Sequence, residues 1–173
     1  MRTLLVLGIL ATAVYLSPIG RYLRSRTPMD AVTAAEAATR LAESQKPTVI
    51  LLYGTGCPIS KQMFAAFTSF AERAKAAGAE VLAYSTDETV DTQYIRPFLA
   101  RRQSTLAPRW IRPWQPGELD RAFRPLGIHV GQEWVRPLLA VRAADGRIVY
   151  QAQAARDIPT AERALQHALK ATR

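Results

Sequence analysis

The sequence predicts an α/β domain: a mixed sheet with helices on both faces and an antiparallel hairpin at one edge. Three observations predict it. Two apolar runs, Thr48–Tyr53 and Glu80–Ser85, flank a helical pattern and read as strands covered on both faces. Asp145-Gly146 separates two further strand-like runs and marks a tight hairpin turn. A closing amphipathic stretch puts Ala161, Leu165, Ala168 and Leu169 on one helical face. With 173 residues, 49% of them hydrophobic and without internal repeats, the chain can bury one sizeable core.

From the N-terminus, Thr3–Gly20 (TLLVLGILATAVYLSPIG) carries no charged side chain; Arg2 precedes it and Arg21, Arg24 and Arg26 come after it. A membrane span needs roughly 20 apolar residues, with about 17 as a lower bound. Residues 1–26 are therefore expected to form an uncleaved N-terminal transmembrane helix. The rival is a cleaved signal segment, whose small-x-small site would be Ala11-Thr12-Ala13, inside the apolar run. The arginine count does not favour export of the domain C-terminal to this segment. Residues 27–173 make the globular domain.

Thr27-Pro28 reads as an N-cap and a first helical residue, opening an alanine-rich helix over Met29–Ser44. Pro47 ends it, and the strand Thr48–Tyr53 runs into a turn with Gly54 and Gly56. The turn delivers the single cysteine, Cys57. A helix from Pro58 to about Ala77, stopped by Gly78, leads to Glu80–Ser85 and completes a βαβ unit. Asp87 and Glu88 open a loop and read as turn residues, a place near the thiol end of the sheet being the other reading. A helical period over Gln93–Gln103 is interrupted by Pro97, and Ala107–Pro113 holds a short strand. A helix starts at Pro116 and ends near Gly127. After a loop from His129 to Arg136, Pro137–Arg142 and Arg147–Gln151 form the hairpin, and Pro159-Thr160 introduces the last helix.

The net charge of +9 comes from scattered arginines, a solvated cationic surface with no nucleic-acid partner expected. Arg109, Trp110, Arg112 and Trp114 read the same way, with tryptophans packing the insert and arginines in water. One cysteine excludes an intramolecular disulfide and thiolate-rich zinc sites. His129 and His167 lie far apart, so neither metal nor other cofactor is expected.

Chemistry therefore centres on Cys57. A cysteine at a helix N-terminus meets free backbone N–H groups and the positive end of the helix dipole, which favour the nucleophilic thiolate. Pro58 has no N–H to lose and fixes the first helical φ. Ser60, one turn on, is placed to donate its hydroxyl to the sulfur. Two other readings stay open: Cys57 as a small buried hydrophobe, or as a peroxidatic cysteine, for which Gly54 stands where Thr or Ser is wanted.

The apolar strand after Lys46-Pro47 leads into Gly56-Cys57-Pro58-Ile59-Ser60. Arg136-Pro137-Leu138-Leu139 opens a later strand, before the Asp-Gly hairpin and the terminal helix. Together these resemble the thioredoxin-like superfamily over about Pro28 to Lys170. The insert between Thr86 and Pro116, with Leu119–Ile128 (LDRAFRPLGI), is most similar to membrane-anchored bacterial thiol–disulfide oxidoreductases of the cytochrome c maturation type. The resemblance implies a thioredoxin-like fold, Cys57 as nucleophile and Pro137 as a cis-proline. It also implies that the Arg136 backbone pairs with an extended client peptide. It places the domain on the periplasmic side of a bacterial inner membrane, in a single-pass protein. The family motif is Trp-Cys-x-x-Cys; here Gly56 replaces the tryptophan and Ser60 the resolving cysteine, so dithiol cycling does not carry over. The expected activity is a monothiol redox or isomerase role: Cys57, with Pro58 and Ser60, forms mixed disulfides with a client protein or low-molecular-weight thiol. The alternative is a non-catalytic interaction module that keeps the client groove.

Overall fold

The computed structural model describes residues 29–131 and 133–171. The expected anchor over 1–26 and the Thr27-Pro28 cap lie outside them. Among the described residues no helix is long and apolar enough to cross a membrane.

Six strands form one sheet: β1 (Asp30–Val32), β2 (Thr48–Tyr53), β3 (Glu80–Ser85), β4 (Arg109–Ile111), β5 (Leu138–Arg142) and β6 (Ile148–Gln153). Their spatial order is β1-β4-β3-β2-β5-β6. β2 lies at the centre and is buried along its whole length, parallel to β3 and antiparallel to β5. Successive side chains of a strand point to opposite faces. Val49, Leu51 and Tyr53 enter one core cluster, while Ile50 and Leu52 enter another. The first cluster is closed by α2 (Pro58–Ala76), α3 (Ile95–Arg101) and α5 (Ile158–Lys170). The second is closed by α1 (Ala34–Glu43) and α4 (Glu118–Phe123). The mixed sheet with helices on both faces and an edge hairpin is as the sequence predicts.

Three elements differ from expectation. Met29–Ser44 is not one helix. Asp30, Ala31 and Val32 pair in parallel with Arg109, Trp110 and Ile111, and the helix starts only at Ala34. Thr33 explains the switch. Its hydroxyl accepts from the Glu36 N–H at 3.1 Å while the Glu36 carboxylate accepts from the Thr33 N–H at 2.6 Å, a reciprocal capping box. Pro97 does not break the insert helix. A 3-10 turn over Thr89–Tyr94 runs into α3, and Pro97 falls in the first turn of α3, where its missing N–H has no intrahelical partner to lose. The helix expected from Pro116 begins at Glu118 and ends in a 3-10 turn, Arg124–Leu126, closed by Gly127 at φ +79°.

An aromatic cluster fixes α2 on β2. Phe64 meets Tyr53 at 5.0 Å and Phe98 at 4.7 Å between ring centroids, both edge to face, and is fully buried. Phe64→Ala should cost about 3–5 kcal/mol. In urea denaturation the midpoint should fall while the slope stays unchanged; an unchanged midpoint would show that α2 is not held this way.

Candidate active site

The site forms where β2 ends. Gly54 to Cys57 make a turn closed by the Cys57 N–H donating to the Gly54 carbonyl at 3.2 Å. Cys57 is the N-cap of α2, in extended backbone geometry, with Pro58 at the first helical position. The first full helical bond runs from the Lys61 N–H to the Cys57 carbonyl at 3.0 Å. Because Pro58 carries no N–H, the groups that meet the sulfur are those of Ile59 and Ser60.

Ser60 is fully buried, and its hydroxyl accepts from the Gly54 N–H at 3.4 Å. That bond leaves its proton to point at the sulfur. The Arg136–Pro137 peptide is cis, as the resemblance implied, and the thiol donates to the Arg136 carbonyl at 3.4 Å. The β2–β5 register pairs Leu52 with Leu138, and continued outward it sets Gly54 opposite Arg136. Cys57, Pro58, Ser60, Arg136 and Pro137 thus converge at one end of the sheet.

Other participants were not legible as such in the sequence. The Arg136 side chain folds back over Gly54: a Cβ there would stand 2.9 Å from Arg136 Cδ, 3.0 Å from Nη1 and 3.3 Å from Asp87 Oδ1. A side chain at position 54 would therefore have to displace the flexible end of Arg136. Asp87, expected as an ordinary turn residue, is buried. Its carboxylate oxygens accept from the Thr55 N–H at 2.9 and 3.0 Å, and the Ser85 hydroxyl donates to it at 2.7 Å. It anchors the turn that carries Cys57. Its place just after β3, the parallel neighbour of β2, was the only available signal. On the other side, Gln153 accepts from the Val135 N–H at 2.9 Å, and Gln151 donates to the His129 carbonyl at 2.6 Å, so β6 pins the loop before Arg136. Among the described residues no group of three or more His, Cys, Asp or Glu side chains is arranged to hold a metal.

The thiol itself is partly exposed. Partial burial pushes its pKa up, but the Ser60 N–H and hydroxyl, the Ile59 N–H and the Arg136 charge outweigh it, and the pKa falls below the ordinary thiol value.

No family model and no curated protein matches the chain. Solved structures do. A thiol:disulfide interchange protein of the thioredoxin family from Chlorobium tepidum TLS aligns at a TM-score of 0.54 and 18% identity, covering 76% of this chain and 84% of that one. BsSco, a member of the Sco family of cytochrome c oxidase assembly proteins, aligns at 0.52 and 15%, over 73% and 81%. A thioredoxin-like protein from Porphyromonas gingivalis aligns at 0.51 and 21%, over 76% and 80%. The chain has the thioredoxin fold. At these identities the likeness concerns the fold, and the chemistry rests on the residues just described.

Two substitutions probe the electrostatics. In Gly54→Ala the new methyl must push Arg136 aside, so the pH at which Cys57 becomes thiolate should rise; Arg136→Met should raise it too, and the double variant should add little. Thiolate absorbance against pH reads this out, and additive shifts would separate Gly54 from Arg136. Linkage sets the sign for stability. The native thiol pKa is lowered, so ionisation adds stability above the unfolded thiol pKa, about 8.5. That gain is lost as pH falls through the native value, and Gly54→Ala should shrink it.

Proposed function

We propose that the chain is a monothiol redox protein in which Cys57 forms mixed disulfides with client or small thiols. One observation carries this reading: the sulfur sits at the N-terminus of α2, part-exposed, 3.4 Å from the carbonyl that precedes the cis-proline. The thiol:disulfide interchange protein that shares the fold supports it. The Cys57 thiolate attacks a disulfide, bonds to one sulfur and expels the other as a thiolate. Once Cys57 is thiolate or disulfide it no longer donates to Arg136, and the freed carbonyl can accept from the backbone of an extended client. Pro58 keeps the N–H groups of Ile59 and Ser60 as the first to face the sulfur, and the Ser60 hydroxyl favours the thiolate. Ser60 cannot displace the client, so a second molecule must do so. This suits isomerisation or removal of a small thiol from a client. We further propose an anchor at residues 1–26 in a bacterial inner membrane, single-pass, with the domain in the periplasm. The charge-free run Thr3–Gly20 and the resemblance to anchored oxidoreductases support that placement.

The test is covalent trapping by the full chain. Alkylation should be half-maximal at a pH below about 8.5, and non-reducing electrophoresis with mass spectrometry should find adducts at Cys57 that vanish in Cys57→Ser. Client capture that survives Cys57→Ser would sink the redox reading in favour of a non-catalytic interaction module.

A further inference from the structure

Gly56, directly before Cys57, is exposed, and a Cβ built there would meet nothing within 4 Å. Gly56 also lines a cavity of about 780 Å³ between the first turns of α2 and the helical insert. Its rim holds Lys61, one turn beyond Cys57, and Arg101 and Arg102 at the end of α3. Phe98 seats Arg102: the guanidinium lies 3.9 Å from the ring centroid and donates to the Phe98 carbonyl at 3.3 Å. Lys61 and Arg101 are absent from every ion pair among the described residues. Asp91 is the single carboxylate among the described lining residues, and Tyr94, Pro97 and Phe98 give the cavity apolar surface.

Small-molecule sites run from about 300 to 1,000 Å³ and combine apolar walls with a few fixed charges. This one has three cations against one anion, and Gly56 in its wall directly precedes Cys57, whose sulfur lacks a resolving partner in the chain. We propose that it binds the small thiol that releases Cys57: a peptide thiol bearing free carboxylates, with glutathione as the representative probe. This rests on the redox reading of Cys57 and assigns that reading its second substrate. The two departures from a dithiol motif then belong together. Ser60 removes the internal resolving sulfur, and Gly56 leaves the entrance open for an external one.

The chemistry balances. Cys57–S–S–R and one thiolate GS⁻ give Cys57–S–S–G and RS⁻, the thiolate attacking Sγ and breaking the S–S bond to R. A second GS⁻ attacks the glutathionyl sulfur, forms G–S–S–G and returns Cys57 as thiolate. The two small thiols are oxidised to one disulfide; the disulfide that Cys57 first opened is reduced.

The full chain, carrying Cys57 as a mixed disulfide with neutral thiopyridine, tests this. Release of thiopyridone is timed with glutathione and with uncharged 2-mercaptoethanol, and the ratio of the two rates is the readout. The glutathione rate should saturate with concentration, and S-methylglutathione, which cannot react, should compete. Raising salt to about 1 M should lower the ratio. Lys61→Glu with Arg101→Glu, both at exposed positions, should lower it about tenfold, and Gly56→Trp, which fills the entrance, should lower it as well. A ratio unmoved by salt and by these variants, with Cys57 still reactive, overturns the cavity assignment and leaves the monothiol reading standing. A chain that never forms the thiopyridine adduct overturns both.

Discussion

The pairing of β2 with β5 is the constraint on which the rest of the molecule depends. β2 is apolar and buried from end to end, so it can only be a central strand, and its antiparallel neighbour is fixed in register from Thr48–Arg142 to Leu52–Leu138. A slip by one residue would turn every side chain to the wrong face. Two residues past the last pair, that register sets Gly54 against Arg136. The positions of Pro137, of the carbonyl beside the thiol and of the guanidinium over Gly54 all follow from a strand pairing made for hydrophobic reasons.

Around that frame the site balances opposing electrostatic effects. Burial resists ionisation of Cys57, while the helix start, Ser60 and Arg136 favour it, and the second group prevails. The supporting parts come from far along the chain. Asp87 after β3 holds the Thr55 N–H, and Gln151 and Gln153 on β6 hold the loop that ends in Arg136. A thiol on a short turn is thereby fixed by neighbours on both sides, which is what orientation of a nucleophile requires.

Much of the fold and the main axis of the site were legible because their signals are local or periodic. The apolar run of β2, the Pro58 helix start, the Asp145-Gly146 turn and the X-Pro strand opening at Pro137 can each be read from a few adjacent residues. The remainder depends on partners distant in sequence. β1 has only three residues and gains strand character from β4, some 80 positions later; without that partner, the alanines after it look helical from Met29 onward. The Thr33-x-x-Glu36 capping signature was nevertheless in the sequence and marks the true helix start. Asp87 looked like a turn residue because the N–H it accepts from, that of Thr55, lies 32 positions earlier in the chain. The closeness of Gly54 to the Arg136 side chain exists only once β2 and β5 are paired.

The serine beneath the sulfur also fixes what kind of equilibrium this protein can take part in. A dithiol protein has an oxidised form of its own and stores two electrons within one molecule, so a midpoint potential describes it at any dilution. With Ser60 in that place and one cysteine in the chain, no such form exists. Every disulfide made by Cys57 joins two molecules. At a given potential of the surroundings, its occupancy therefore also depends on how much partner thiol is present. In the proposed monothiol reaction, a potential for Cys57 is defined only together with a partner thiol.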